Sequence, residues 1–382
     1  MTMVIDRIEL SVFETVTNTS RFNLQQTDAA PGHKRWVRQA DATPTSELHV
    51  LHVYTSDGIE GICTVGDARY TTMRTEDLQM LRVLAVGEDA LDRERLFDKM
   101  HAATRGMFTL VGWFGAFDNC LWDIAGKAAG QPVYELIGRT RADCPAYYNF
   151  GGNSPEAAAA DAVQARDRGF GALKDHFHGT GEQNEPWFRV VREAVGAEAD
   201  LLHDAASCTY HFDEALAVGR VLEELGYGWF EEPLSDRDQS GLQRLCQSLQ
   251  IPILAPETMM NDIELSQVWL TSAAVDMLRV NARHGMTMML RLAKLAAERG
   301  TTIEANGPGG LFGLVHAHLV CAVDNTSYYE YFPGGSRDEV GKEIGLLNPP
   351  VPANGAIAPP NLPGWGAQWD RAYFESHRVA VR

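Results

Sequence analysis

The sequence predicts an α/β fold built on a (β/α)8 barrel that follows an α+β domain. Two patterns carry this expectation. From Cys144 onward, short β-rich runs alternate with amphipathic helical stretches, the signature of βα units around a parallel sheet. Before Cys144, strand-like runs come first and helical patterns follow, the order of an α+β unit. A chain of 382 residues, 45% apolar and 22% charged, has room for one barrel-sized domain with an attachment and a large core. That composition excludes a disordered, collagen-like or knottin-type molecule.

In chain order, a strand-like start covers 4–13, and a polar stretch with Pro31, Gly32 and Pro44 covers about 17–46. A structureless loop of that length in a compact protein points to a functional lid. Two β-rich runs in LHVLHVYTSDGIEGICTV, around Ser56-Asp57-Gly58, predict a hairpin, and helical patterns cover 72–130. The barrel strands are expected at 146–150, 172–177, 200–203, 229–231, 252–255, 275–280, 302–304 and 328–331. Between them lie helices such as 286–299, where Met286, Met289, Leu290, Ala293, Ala296 and Ala297 recur at helical spacing. After Phe332 the chain turns Gly/Pro-rich (Pro349-Pro350, Pro359-Pro360, Pro363-Gly364) and reads as an extended tail.

The formal net charge of −18 gives a field that repels phosphate backbones and anionic membranes, so neither nucleic acid nor membrane is an expected partner. MTMVIDRIEL carries charge before an apolar signal region can form, and no run reaches the ~18–20 apolar residues of a membrane span. The six cysteines are scattered without a CxxC pair, which suggests free thiols and a cytoplasmic setting.

Three acids are placed for chemistry: Asp204 in LLHDAAS, Glu231 in WFEEPL and Glu257 in ILAPET. They are separated by 27 and 26 residues (231 − 204 and 257 − 231), one βα unit per step, so they project from the C-terminal ends of neighbouring strands, where barrel active sites lie. Converging carboxylates need a cation, and all-oxygen ligation suits one Mg²⁺ per subunit.

With LWDIAGKAAGQPVYELIG (121–138), HDAAS, WFEEPL, APET and YYEYF, the chain resembles the mandelate racemase/muconate lactonizing enzyme group of the enolase superfamily. The resemblance implies a modified barrel over 136–335, an N-terminal α+β cap over 1–135 bearing the lid, and a C-terminal segment, 336–382, that returns to the cap. It selects Glu231 rather than Glu232 as the metal ligand. It also implies abstraction of a proton α to a carboxylate, with Mg²⁺ stabilising the enediolate.

Such chemistry needs a base beside the metal. In GALKDHFHGTG, Lys174, His176 and His178 alternate and share one strand face. Relatives commonly carry Lys-x-Lys there, so by position His176 replaces the base with Lys174 beside it, and the two are expected to form the acid/base pair. An imidazole of ordinary pKa near about 6.5 suits the role, and the adjacent ammonium and Mg²⁺ are expected to keep it neutral. His178 reads as structural. On the other side, Asn306 stands where many relatives have a histidine, and Asn281 or Arg279 stands near their aspartate, unless Asp276 takes that place with His284 reaching in. Neutral asparagine is no base. One armed face fits dehydration better than racemisation.

Glu330 matches the family acid that donates a hydrogen bond to the substrate carboxylate, which requires it to be protonated. Tyr147, Tyr148 or Asn149, at the end of the first barrel strand, are candidates to bind the substrate or assist the leaving group, with Arg279, Asn281 and Asn306 also substrate-facing. His33, Lys34, Arg35, Trp36 and Arg38 make the lid basic and aromatic, as suits a polyhydroxylated anion. The expectation is a dehydratase of a small-molecule carboxylate, an aldonate- or aldarate-like sugar acid, in a homo-oligomer. An epimerase, a racemase, a cycloisomerase or an inactive metal-binding barrel are the alternatives. A zinc-type hydrolase is disfavoured because Lys174-Asp175-His176 is not the HxH of zinc barrels.

Overall fold

The structure, a computed structural model, describes residues 2–16, 24–30, 33–38, 45–66, 72–109, 111–205, 210–257, 259, 262–333 and 339–382. The cap begins with β1 (Ile5–Val16), which pairs antiparallel with β4 (Thr45–Thr55), and β4 pairs with β5 (Glu60–Thr64) across the turn at Gly58. Between β1 and β4, β2 (Leu24–Ala30) and β3 (His33–Arg38) form an antiparallel ribbon with Gln26 opposite Trp36. The expected structureless lid is therefore corrected in this part: local antiparallel pairing gives its backbone a ladder. The side chains of Lys34, Arg35 and Trp36 lie outside the described residues.

The cap sheet is apolar on both faces, and each face has its own cover. Ile8, Leu10, Leu51 and Val53 belong to the main core with α1 (Thr75–Ala85), α2 (Arg93–Met107) and α3 (Gly115–Ala129). Phe13, Leu48, Val50 and Ile62 pack with Phe374 of the C-terminal segment. The last strand, Ala380–Val381, pairs with β1. Helix α3 is buried along most of its length because it lies between cap and barrel. Its Asp118 accepts from Thr287 N at 2.8 Å, and its Asn119 amide donates to the Ala282 carbonyl at 2.8 Å.

After the short α4 (Val133–Ile137), eight parallel strands close a barrel: β6 (Cys144–Asn149), β7 (Ala172–Asp175), β8 (Asp200–Asp204), β9 (Tyr227–Glu231), β10 (Ile253–Ala255), β11 (Met277–Val280), β12 (Ile303–Ala305) and β13 (Tyr329–Tyr331). The β13–β6 pairing, with Glu330 opposite Tyr147, closes the ring. Helices follow the first seven strands: α5 (Pro155–Asp167), α6 (Gly181–Val195), α7 (Phe212–Glu224), α8 (Gln239–Ser248), α9 (Ile263–Thr271), α10 (Met286–Glu298) and α11 (Gly310–Ala322). The eighth strand leads to the C-terminal segment.

Strand alternation divides the barrel interior into levels. Tyr147, Ala172, Leu202, Trp229, Leu254 and Met277 form an apolar plug. Two residues further along their strands come Asn149, Lys174, Asp204, Glu231 and Arg279, all buried and polar. The plug thus forces charge toward the C-terminal rim. Among the described residues five cysteines are free, and Cys208 lies outside them. No helix among the described residues is long and apolar enough to cross a membrane.

Candidate active site

Asp204 and Glu231 stand opposite each other where β8 and β9 end, and Glu257 follows β10. Lys174, on β7, reaches between them: its Nζ is 3.0 Å from Asp204 Oδ2, 2.7 Å from Glu231 Oε2 and 2.9 Å from Glu330 Oε1. On the other side, the Arg279 guanidinium lies 2.6 Å from Glu231 Oε1, 3.7 Å from Glu257 Oε2 and 3.6 Å from Glu330 Oε2. The two cations separate the acids, and among the described residues no three ligand-type side chains form a ready-made metal cage.

The charge balance nonetheless fits a divalent cation. Burial pushes the Glu231 carboxyl up to about 7 against the pull of Arg279, with Asp204 adding to the rise. Burial, and then the carboxylates of Glu257 and Asp204, hold Glu232 well above the usual range. Glu231 and Glu232 are thus driven toward protonation, whereas at Asp204 burial is outweighed by Lys174 and then His176, which hold that carboxyl well below the usual carboxylate range. An oxygen-seeking dication relieves this without hydrophobic compensation. Glu232 has left-handed backbone, φ 46°, strain of the kind concentrated at functional sites.

His176 lies just past β7, its side chain about one-quarter exposed, with Nε2 3.1 Å from Asp204 Oδ2. Burial works against its charge, but Asp204 overrides it and raises the pKa. Asp204 thus favours the charged ring here, because the imidazole partners the very carboxylate expected to bind metal. His176 also borders a cavity of about 590 Å³, with Phe150, Phe177, His178 and Trp187 around it. His178 is exposed at this mouth, on the cavity rather than in the core.

Several other expectations change. Burial opposes ionisation of Glu330, yet Lys174 and Arg279 outweigh it and hold the carboxyl far below its usual range. Glu330 is thus an ionised acceptor, taking the Gly307 N–H at 2.5 Å, rather than a protonated donor. Arg279 is fully buried and spends its donors on Glu231, on Tyr147 Oη at 3.0 Å and on the Ala305 carbonyl, so it neutralises the acids and does not face the substrate. Tyr148 points outward, with its hydroxyl donating to Asp161 Oδ1 at 3.2 Å and its ring against Phe170; one step of strand alternation separates it from Tyr147 and Asn149. Asn149 does face the site: its amide donates to Glu330 Oε1 at 3.3 Å, and its buried Oδ1 has no hydrogen-bond partner among the described residues.

Asn281 and Asn306 stand just past the ends of β11 and β12. The Asn281 amide donates to Asn306 Oδ1 at 2.5 Å, and Asn306 donates onward to Glu257 Oε1 at 3.4 Å. Asp276 lies away from them: its Oδ2 accepts from Ile253 N, just before β11 begins and at the far end of the barrel. His284 is fully buried, and burial, with Arg283 adding, lowers its pKa to about 3. Sequence reasoning missed Asp175 and His203, whose only sign was polarity at outward strand positions where apolar residues are the rule.

Fold and site together define a capped parallel barrel whose strand ends hold a buried acid cluster. The enolase C-terminal domain-like family model matches residues 157–373, and the mandelate racemase/muconate lactonizing enzyme N-terminal domain model matches 32–138. The chain belongs to this family of the enolase superfamily. It is 28% identical over 355 residues to an arabinonate dehydratase of Saccharolobus solfataricus, covering 87% of this chain and 91% of that one. It is 27% identical over 263 residues to a D-Ala-D/L-Ala epimerase of Cytophaga hutchinsonii, covering 68% and 70%. The crystal structure of D-glucarate dehydratase from Agrobacterium tumefaciens complexed with magnesium superposes with a TM-score of 0.83 at 28% identity, covering 100% of both chains.

Proposed function

We propose that the protein is a Mg²⁺-dependent dehydratase of a sugar acid, an aldonate or aldarate, which it converts to the 2-keto-3-deoxy acid. The observation that carries this reading is the asymmetry of the site. His176 stands just past β7 against Asp204, whereas past β11 and β12, beside Glu257, the acid cluster meets the amides of Asn281 and Asn306. A two-base racemase needs a proton carrier on each face, and an amide is none. A syn elimination needs one. His176 takes the α-proton, the C–O bond at the β-carbon breaks, and the same ring returns the proton to the departing hydroxyl as water; the enol left behind tautomerises to the ketone. The dehydratase names among the relatives support the same choice.

Asp204, Glu231 and Glu257 would hold Mg²⁺, which when bound supplies positive charge to the substrate carboxylate as the α-proton leaves. Were Asp204 engaged as a ligand, the contact that favours the charged His176 ring would be lost, and the ring would be freed to accept a proton. Lys174 has the opposite task. Burial disfavours its charge and Arg279 repels it, but Asp204, Glu231 and Glu330 together hold its pKa well above normal. The expected pairing of Lys174 with His176 as acid and base is therefore revised: Lys174 remains a buried ammonium, positive toward an anionic substrate, and proton transfer falls to His176. Glu330 and Asn149 orient that ammonium from the β13–β6 side.

The test is incubation with Mg²⁺ in D₂O against a panel of mono- and diacid sugars, followed by proton spectra. The expected result is a 2-keto-3-deoxy product that His176→Ala reduces by a factor of about 10²–10⁴. Deuterium exchange with inversion and no elimination would replace the dehydratase by an epimerase, and a panel without exchange or product would overturn catalysis on sugar acids.

A further inference from the structure

Behind the site, on the outer side of the barrel wall, lies a buried polar chain that the proposed chemistry does not use. Asp175 of β7 and His203 of β8 are directly opposite in the strand register and fully buried, with Nδ1 2.6 Å from Asp175 Oδ1. The same Oδ1 accepts the Phe177 N–H at 3.2 Å. On the far side of the ring, His203 Nε2 is 3.3 Å from Tyr210 Oη, which accepts from the Asn184 amide of α6 at 2.6 Å. One proton arrangement serves every contact: Asn184 donates to Tyr210, Tyr210 donates to Nε2, and Nδ1–H donates to Asp175. The His203 ring is further held by Phe188 and Phe230, with centroids at 4.7 and 5.4 Å.

The position of this pair in the chain gives it a consequence. Asp175 sits between Lys174 and His176, and His203 immediately precedes Asp204. Because neighbours on a strand face opposite ways, a bond that fixes Asp175 to His203 on the outside fixes Lys174, His176 and Asp204 relative to one another on the inside. The hydrogen bond to Phe177 N extends the hold past the strand end, where His176 has no ladder of its own. We propose that Asp175 and His203 are positioning residues, a cross-strand clamp that sets the spacing of the cation-binding acid and the proton-transfer histidine.

The clamp rests on the proposed function only for its effect on turnover; its effect on Mg²⁺ binding is separate. Removing one partner alone would leave the other as an unsatisfied buried polar group, so the decisive variant is Asp175→Leu/His203→Phe, which replaces both by apolar groups, keeps the ring packing and releases the Phe177 N–H and the Tyr210 hydroxyl. Thermal unfolding checks that this variant folds, and calorimetric titration with Mg²⁺ reads Asp204. The expected result is a Kd weakened about tenfold and a kcat lowered by about 10²-fold with KM changed less than about threefold. Asp175→Asn, which keeps an acceptor for His203 and Phe177, should stay within about threefold of wild type in both. A folded double variant with wild-type Mg²⁺ affinity overturns the clamp. Should the double variant not fold, Asp175→Asn decides: it should retain the solvent-protected downfield proton of His203 Nδ1 and wild-type Mg²⁺ affinity, and loss of affinity with that proton retained overturns the proposal. If the wild type binds Mg²⁺ yet transforms no sugar acid, the function falls and the titration still decides the clamp.

Discussion

Lys174 links three buried carboxyls, and its removal should be felt first as stability. Lys174→Met leaves Asp204, Glu231 and Glu330 without the cation they share, so unfolding in urea without Mg²⁺ should lose about 3–5 kcal/mol, part of it recovered when Mg²⁺ is added. A variant as stable as wild type without Mg²⁺ would show that the acids do not depend on the ammonium. The tyrosines of β6 give a sharper contrast. Tyr148→Phe loses one hydrogen bond to Asp161 and should cost about 1 kcal/mol with kcat unchanged. Tyr147→Phe deprives Arg279 of its acceptor at 3.0 Å and should lower kcat roughly tenfold. Equal kcat values for the two variants would refute the assignment of faces. The spacing of Asp204, Glu231 and Glu257 was legible in the sequence because each βα unit repeats the same register. Depth and charge state were not. Whether Arg279 meets solvent or Glu231, and whether Glu330 is ionised, depend on residues far apart in the chain. Tyr148 was open to a better reading, since the alternation that grouped Lys174 with His176 also separates Tyr148 from Asn149.

At the scale of elements, one buried carboxyl among the bonds that join α3 to the barrel should respond to pH. Asp118 accepts from Thr287 N and from Thr287 Oγ1 at 2.6 Å, at the start of α10. Burial pushes this carboxyl up to about 7 against those hydrogen bonds, from an ordinary value of 3.8. Between those limits the folded protein holds a proton that the unfolded chain has released, so the contribution is full below about pH 4 and is lost as pH rises through 7. Urea midpoints measured from pH 4.5 to 8 should therefore fall more steeply for wild type than for Asp118→Asn; parallel curves would refute the shift. The same interface explains Gly115: a Cβ there would stand 1.8 Å from the Arg283 carbonyl oxygen, so Gly115→Ala must push α3 away from the turn after β11. The barrel strands were legible in the sequence to within a few residues, whereas the cap read only as one helical stretch over 72–130, which the structure divides into α1, α2 and α3. The β2–β3 ribbon was missed because its segment is polar and lacks the apolar alternation that marks a half-buried strand.

At the scale of the whole molecule, the C-terminal segment ties the two layers together, which the Gly/Pro-rich sequence alone could only suggest. Trp365 is fully buried: its N–H meets Asp123 Oδ1 at 3.0 Å and its indole donates to the Asn119 carbonyl at 3.0 Å, both on α3. Its own carbonyl lies 3.1 Å from His318 Nε2 on α11. One residue thus fastens cap helix to barrel helix, while Phe374 and the final strand cover the cap sheet. Trp365→Ala should lower stability by about 3–5 kcal/mol through the lost packing and the lost indole hydrogen bond, its two backbone bonds being kept. The proposed Mg²⁺ site lies elsewhere, on the acids of the barrel rim, and a ligand that binds only the folded state adds about 2.7 kcal/mol at a hundred times its Kd. The two effects should add within roughly 0.5 kcal/mol. Unfolding of wild type and Trp365→Ala, each with and without Mg²⁺ at a fixed multiple of its own Kd, closes the cycle. A Mg²⁺ gain that shrinks in the variant would mean that loosening the cap already disturbs the rim acids, and cap and site would then have to be treated as one cooperative unit.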